Sequence, residues 1–591
     1  MASVVETIQG AYNLAGRGQA DAALEELRRY LRMHHDQPDV HHHLGLMLLQ
    51  LGQPDQALYH LERSTVTAPS NAEFHSNYAT ALNMNGRSAP AVDSYRRALM
   101  FNPAWFPAHL GLSSALLGVR DFAAAAEAAR QAIQLAPDRV ESWVNLGLAL
   151  HRGGRSAEAL EAFREGLTKA GEHPLLLINL AAVMNYRPEP TPQEIFDVHT
   201  RLGKAIMSTG GGGFRPILAN PDPERRLRVG YLSHDVRDHS VSHFMRPILA
   251  HHNREKFEPI LYSSTVAADA TTRELAAAAA GFVDASRMAD GVLDQRIHAD
   301  RVDILVDLCG HTSGSRVAIM ARRPAPVQVT YLGYPNTTGI KAVGYRIVDE
   351  VTDPAGDEAF ATEKLVRLPG CFLCYQPPVE APEVAPAPSR AAGYVTFGSF
   401  NAVEKLVEPV IETWAEILKA VPDSRIIIKN MALSSGQVQE QLKASFAKAG
   451  LDTDRVEAMG PVEDMRGHLA QYGRVDLALD PFPYGGTCTT CEALWMGVPV
   501  VTLRGNRHAS RVGASILTAI NEPDLIASTR EEYVALATGL ARDESRRVKL
   551  RGELRERIRS SPLCDGKAFV AGLEDAYRKM WREWNGGSYY T

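Results

Sequence analysis

Small residues return every 34 positions through the first third of the chain, at Ala23, Ala57, Ala91, Ala125 and Ala159. Prolines keep the step at Pro69, Pro103 and Pro137, and glycines keep it at Gly18, Gly52, Gly86 and, after one skipped copy, Gly154. A fixed period of this kind constrains the fold more than composition can, because each unit buries its apolar face only against its neighbours. Two antiparallel helices fit the step, with alanine where they cross closely and proline ending the second helix. A sixth first helix is expected at Pro174–Tyr186, before Arg187–Gln193 (RPEPTPQ) breaks the pattern.

The step is that of the tetratricopeptide repeat, so residues 1–186 are expected to form an α-helical superhelix. Asn77, Asn145 and Asn179 share one phase of the repeat, on the first helix and facing the groove. Carboxamides there would hydrogen-bond the backbone of an extended peptide without reading its side chains, which makes proteins the expected partners. The alternative is that these asparagines are merely solvated. The ladder is incomplete, since His43 and Gly111 hold the same phase in two other repeats.

With 591 residues the chain exceeds one core, and its 45% apolar and 22% charged content is that of a globular protein. A net charge of −6 points to neither a nucleic-acid nor a membrane-surface partner. No stretch approaches the ~18 apolar residues of a membrane span, and the first residues lack the basic and apolar regions of a secretory leader. Six cysteines in so long a chain are not a disulfide framework, so a reducing cytoplasm is expected.

After the glycine run Gly210–Gly213, expected to act as a hinge within linker helices at 187–226, strand-like runs alternate with helical segments. Leu227–Leu232, Ile260–Ser263, Asp303–Leu308, Val327–Leu332 and Tyr345–Val348 make a first lobe (227–376). Residues 377–393, rich in Pro and Ala, read as a linker. Val395–Phe397, Arg425–Lys429, Val456–Met459, Val475–Leu479 and Val500–Leu503 make a second lobe (394–560), with a C-terminal helix at 561–591 packing across the pair. Such alternation implies two parallel, Rossmann-like sheets with a ligand cleft at their carboxyl ends.

The run LALDPFPYGGTCTTCEALW says most about chemistry. A strand turns through Gly485 and Gly486 into a helix that opens with Thr487, Thr489 and Thr490, and Glu492 follows. Helix starts carry unpaired N–H groups and positive potential, glycine lets backbone approach, and hydroxyls add donors, so a diphosphate fits. Glu492 would take the vicinal hydroxyls of a ribose. Asn401 and Lys405 follow another strand of this lobe, and an ammonium facing the diphosphate would stabilise its departure; a solvated helix lysine is the plainer alternative.

In the first lobe, SHDVRDHSVSH brings His234, Asp235, His239 and His243 to a strand end. His239 and His243 have zinc-like spacing, yet no glutamate follows the first and no third ligand is evident, so no metal is expected and a positioning or catalytic histidine is. His311, Thr312 and Arg316 lie at another strand end, and Gly333, Pro335 and Gly339 shape a loop whose Asn336, Thr337 and Thr338 would face a sugar. Cys371/Cys374 in the strand-like CFLCY and Cys488/Cys491 at a helix start are expected to be buried apolar residues rather than a zinc site. Asp452-Thr-Asp454 is expected to be a turn rather than a metal motif.

Together, LRVGYLSHDVRDHSVSH, RPAPVQVTYLGYPNTTG, FGSFN with Lys405, LALDPFPYGGTCTTCEALWMGVPVVTL and ASRVGAS resemble the nucleocytoplasmic protein O-GlcNAc transferases and their SPINDLY relatives, glycosyltransferase family 41. The resemblance implies a superhelix followed by a GT-B fold, and metal-independent, inverting transfer of GlcNAc from UDP-GlcNAc to protein Ser/Thr hydroxyls, with UDP as product. By position it implies His239 near the acceptor hydroxyl as base, Lys405 on the leaving diphosphate, Thr489 and Thr490 on the diphosphate, Glu492 on the ribose and His468 beside the nucleobase. Ala402 replaces a glutamine of the animal enzymes, Met465 a lysine and Asp303 a histidine; Asp303 and His311, with Gly333, Pro335 and Thr338, are expected among the substrate-binding residues. PNTTG and GCFLCY are closer to SPINDLY, whose plant members resemble GDP-fucose users, so GDP-fucose is the alternative donor. A nucleotide-binding adaptor without turnover and a transferase acting on small molecules are the other readings.

Overall fold

The computed structural model describes residues 3–209 and 222–586, so the Gly210–Gly213 run lies outside the described residues. The chain falls into two compact units, Met1–Asn179 and Leu180–Thr591.

The first unit is five helix pairs, from Val4–Gly16 with Ala20–Met33 to Val140–Arg152 with Ser156–Ala170. The five periodic alanines are at most 1% exposed, as close helix crossing requires. Second helices end at Thr67, Phe101 and Leu135, each two residues before its periodic proline. Gly18, Gly52, Gly86 and Gly154 turn between the two helices of a pair with φ of 70–79°, and Arg120 fills the skipped position at φ 62°. The repeat therefore demands a left-handed residue there, and glycine is only its cheapest solution.

Asn77 Nδ2 lies 2.8 Å from His42 Nε2, and Asn145 Nδ2 donates to Ser113 Oγ at 2.8 Å, so both tie their helix to the preceding first helix. Asn179 Nδ2 donates to Leu175 O within its own helix. One amide N–H of each is thus engaged inside the superhelix, and the carboxamide oxygens keep the expected groove role open. Gly111 breaks the ladder because the Tyr95 ring takes the space, 2.3 Å from where a Cβ would stand.

The second unit holds two wholly parallel sheets. The first runs in the order β3-β2-β1-β4-β5-β6-β7, with β1 Leu227–Ser233, β2 Phe257–Ser263, β3 Gly281–Asp284, β4 Ile304–Asp307, β5 Val327–Thr330, β6 Tyr345–Asp349 and β7 Lys364–Leu368. The second runs β10-β9-β8-β11-β12-β13, with β8 Thr396–Ser399, β9 Arg425–Lys429, β10 Val456–Met459, β11 Leu477–Leu479, β12 Val500–Leu503 and β13 Ile526–Ala527. Central strands such as β4 (ILVD) and β5 (VQVT) are buried throughout, as sheets covered on both faces require. CFLCY, expected to be strand-like, is buried non-strand chain; its cysteines fill the core.

Helix Arg530–Arg542 packs on the second sheet: Tyr533 hydroxyl donates to Asp480 O at 3.0 Å and accepts from Trp414 Nε1 at 3.2 Å. Helix Gly566–Asn585 returns to the first sheet, where Glu574 meets His252 at 2.9 Å and Tyr577 meets Tyr231. The lobes are held together by His508–Asp353 at 2.5 Å, Arg511–Asp357, and Ser515 Oγ donating to Asp349 at 2.6 Å.

Candidate functional site

The carboxyl end of β11 turns through Asp480 to Gly486. Asp480, 1% exposed, accepts from Gly486 N at 2.6 Å and from Thr502 Oγ1 at 2.7 Å, and burial pushes its carboxyl up to about 6. Gly485 N donates to Ala509 O, so the ASRVGAS segment braces the turn. A Cβ on Gly486 would come within 2.6 Å of both Thr489 Oγ1 and Thr490 Oγ1, so only glycine lets this backbone pass. Thr487 begins helix Cys488–Trp495 without a side-chain cap, which leaves the first N–H groups to a ligand.

Lys405 reaches the same turn from the end of β8. Its Nζ donates to Gly485 O at 2.6 Å and to Asn401 Oδ1 at 3.4 Å, and lies 4.4 Å over the Tyr484 ring. Asn401 Oδ1 also accepts from Thr489 Oγ1 at 3.1 Å. Burial pulls the ammonium down to about 8, against the opposing pull of Asp480 and Glu404. Asn401, Thr489 and Thr490 also border a small pocket with Asp480, Tyr472 and Phe400.

Glu492 is 5% exposed, one turn into the helix. Its Oε2 lies 3.1 Å from His468 Nε2 and accepts from Tyr472 hydroxyl at 3.2 Å, while Oε1 accepts from Cys488 Sγ. Burial opposes its charge, but His468 and Cys488 hold it below the usual carboxylate range. His468 Nδ1 in turn meets Lys429 Nζ at 2.6 Å. The Met465 departure therefore leaves a cation beside His468, supplied by β9. Lys429, Tyr472, Tyr484 and Asp480 were missed by sequence reasoning; only the position of Asp480, at a strand end before the glycines, could have flagged one of them.

In the first lobe, His239 is the N-cap of helix Ser240–His251, with Nδ1 accepting from Val241 N at 3.3 Å and 3.6 Å from Asp235 Oδ1. Burial lowers its pKa from the ordinary 6.5, partly offset by Asp235, so the ring is neutral at pH 7. His243 is buried against Tyr375 instead of standing beside His239 as a ligand. Among the described residues, the one group of three or more metal-capable side chains is His234, Asp235 and Cys309.

Several expected donor-site residues stand elsewhere. Asp303 precedes β4 at the amino edge of the sheet, its carboxylate held by Arg225 at 2.5 and 2.8 Å and by Arg228 N, so it fastens chain ends and does not face a cleft. Thr337 and Thr338 turn inward to buried Glu363, so their hydroxyls are withdrawn from a sugar, while half-buried Asn336 spends one amide N–H on Asn185 at 3.1 Å. His311 is 4% exposed and its Nε2 meets Thr338 O at 2.7 Å, a support beneath the loop. Gly333 is required because a Cβ would fall 1.9 Å from Leu308 O. Pro335 and Asn336 do border a cleft, with Arg346, Arg507 and His508. Asp452 accepts from Asp454 N and makes a turn.

The profile of Glycosyl transferase family 41 matches residues 214–376 and 388–573, and tetratricopeptide-repeat profiles match 9–104 and 110–174. The chain belongs to glycosyltransferase family 41. It is 40% identical over 414 residues to the probable UDP-N-acetylglucosamine–peptide N-acetylglucosaminyltransferase SPINDLY of Arabidopsis thaliana, covering 69% of this chain and 45% of that one. It is 32% identical over 367 residues to the Arabidopsis SEC protein, with the same probable activity in its name, covering 60% of this chain and 37% of that one. The chain thus spans about half the length of the curated relatives it matches or less. A point variant of the Thermobaculum terrenum O-GlcNAc transferase superposes with a TM-score of 0.80 at 32% identity, covering 88% of this chain and 99% of that one. The two-sheet unit has the GT-B fold that family membership implies.

Proposed function

We propose that the protein moves GlcNAc from UDP-GlcNAc to Ser or Thr hydroxyls of protein acceptors, with inversion and without a catalytic metal. The observation that carries this reading is the convergence of Lys405, Asn401, Thr489 and Gly486 on the open start of helix Cys488–Trp495. One ammonium, the Thr489 hydroxyl and aligned N–H groups make a receptor for a leaving diphosphate. The sugar and nucleotide come from the names of the SPINDLY and O-GlcNAc transferase relatives. The repeat unit supports a protein as acceptor.

In the reaction the acceptor oxygen attacks the anomeric carbon as the bond to the β-phosphate breaks, its electrons passing to UDP. His239 takes the hydroxyl proton. Its Nε2 is a base only while the ring proton sits on Nδ1, directed at Asp235; with Nδ1 accepting from Val241 the proton is on Nε2. Asp235 is therefore a positioning residue that selects the reactive tautomer. Lys405 and the helix start take up charge on the departing UDP, and holding both substrates in one geometry supplies the rest.

Thermal shifts with UDP, GDP and their sugars, followed by intact-mass analysis of acceptor proteins from the same cell, test this. The expected result is a shift with UDP and UDP-GlcNAc and a HexNAc mass increment. A shift with GDP alone and a deoxyhexose increment would replace the donor; shifts without any increment would leave a nucleotide-binding adaptor.

A further inference from the structure

The carboxyl ends of neighbouring strands β1 and β4 bring together three side chains that the transfer chemistry does not need as a set. His234 and Asp235 follow β1, and Cys309 lies just beyond β4. His234 Nδ1 is 3.5 Å from Cys309 Sγ, Asp235 Oδ2 is 3.9 Å from the same sulfur, and His234 Nε2 is 3.2 Å from Asp235 Oδ1. With one donor atom from each residue, all lie within 4.8 Å of one another. Zinc bonds of about 2.3 Å to sulfur and about 2.0–2.2 Å to nitrogen or oxygen, at tetrahedral angles, separate their ligands by about 3.3–3.6 Å. These contacts fall on different atoms of His234 and Asp235, whereas an ion takes one from each; a single donor set lies within 4.8 Å, so the side chains close inward on binding.

A second observation points to a ligand. Asp235 is 4% exposed, yet its Oδ1 has no hydrogen-bond partner: neither nearby imidazole directs an N–H at it, and the Arg237 guanidinium stands off at 3.7 Å. Buried carboxylate oxygens are rarely left so. The pocket is also shaped for the ring: Gly314, at φ 80°, passes where a Cβ would come 2.6 Å from His234 Cδ2. Cys309 is 1% exposed, whereas the His234 side chain is 21% exposed and gives an ion a way in.

We propose that His234, Asp235 and Cys309 form a site for a thiophilic divalent cation of the zinc class, and that its occupancy switches transfer off. One sulfur, one nitrogen and one carboxylate suit zinc or cobalt and disfavour magnesium or calcium, which want oxygen shells. On binding, the Cys309 thiol loses its proton to solvent and the thiolate takes the metal. The inhibitory half rests on the proposed role of His239: the metal takes the Asp235 oxygen that selects the reactive tautomer and places positive charge beside the ring that must accept a proton. His239 Nδ1, 3.6 Å from Asp235 Oδ1, is also within reach as a fourth ligand.

The test uses the full chain titrated with Co²⁺ in the absence of any substrate, followed by zinc competition and chelation. One equivalent of Co²⁺ should bring in a thiolate-to-cobalt charge-transfer band, removed by zinc. Cys309→Ser should abolish the band and weaken zinc binding by roughly 10²-fold or more, at least the loss seen when an outer-shell partner is removed. Should that variant fold poorly, His234→Ala on the partly exposed side is expected to weaken binding while leaving a sulfur band. Absence of the band in the wild type, or its persistence in Cys309→Ser, overturns the site. Zinc should depress transfer, a chelator restore it, and Cys309→Ser escape it. A band without inhibition overturns the switch but leaves the site. Because the band is read without donor or acceptor, it stands or falls independently of the transferase reading.

Discussion

The two sheets of the second unit share one winding pattern, yet the clusters at their carboxyl ends are opposite in kind. In the second lobe the polar atoms are closed on one another: Lys405 to Gly485 and Asn401, Asn401 to Thr489, and Glu492 to His468, Tyr472 and Cys488. In the first lobe Asp235 Oδ1 has no hydrogen bond, with Arg237 in ion-pair range at 3.7 Å, and His239 has two competing neighbours for one nitrogen. A satisfied network is rigid and suits charge that appears at a fixed place. An unsatisfied one can change protonation or take a ligand. Under the proposed function, the contrast puts leaving-group chemistry in one lobe and proton transfer in the other.

The sharpest way to break that division is His239→Ala. Transfer to protein should fall by about 10³-fold, within the range of a lost general base, while slow hydrolysis of the donor by water persists. Assays of both products settle it: unchanged protein transfer removes His239 from the mechanism, and equal loss of both reactions would move it to the donor side.

Lys405→Ala should come next, with turnover down about 10²-fold or more, as for a lost oxyanion donor, and acceptor KM little changed. Near-wild-type turnover would detach the ammonium from the leaving group. Because kcat/KM reports the free enzyme, the two lobes should also separate in its pH profile. His239 works when neutral, so activity is lost as pH falls through its depressed pKa, placing the acid limb below 6.5. Lys405 works when protonated, so activity is lost as pH rises through about 8. Lys405→Arg should remove the alkaline limb and leave the acid limb in place; movement of both would mean the groups do not act separately.

How much of this was legible in the chain follows from where each signal resides. The superhelix was, because its period is carried by residues whose local geometry demands them, down to the left-handed turn that Arg120 shares with four glycines. The central strands were too, as continuous apolar runs. The missed strands β3, β7 and β13 are all edge strands: β3 has one buried residue of four and β13 is two residues long, so neither makes an apolar run. The turn and helix start of the second lobe were legible from local spacing. Asp303 and Thr338 were misplaced because their partners, Arg225 and Glu363, come from 78 and 25 residues away and consume the groups the sequence offered. Lys429 escaped for the same reason, since only the fold brings β9 to His468.

A smaller effect sharpens the second lobe. Glu492→Gln keeps the shape and removes the charge, so its bond to the donor weakens by about 1.5 kcal/mol, the low end for a charged hydrogen bond, or about tenfold in donor KM. If Glu492 only anchors His468 and Tyr472, the same variant should lower Tm and leave donor KM alone.

The smallest effect lies in the repeats. Asn145→Ala removes the tie to Ser113, costing about 1 kcal/mol. If the carboxamide oxygen also meets acceptor backbone, KM for a long protein acceptor should rise a few-fold while KM for a short peptide stays put; each lost hydrogen bond of about 1 kcal/mol is worth about fivefold. Comparing the two acceptors separates recognition from stability, because a loss of stability alone moves neither KM. Should only Tm fall, the asparagine phase is a device for stacking repeats, and acceptor binding has to be sought on other faces of the superhelix.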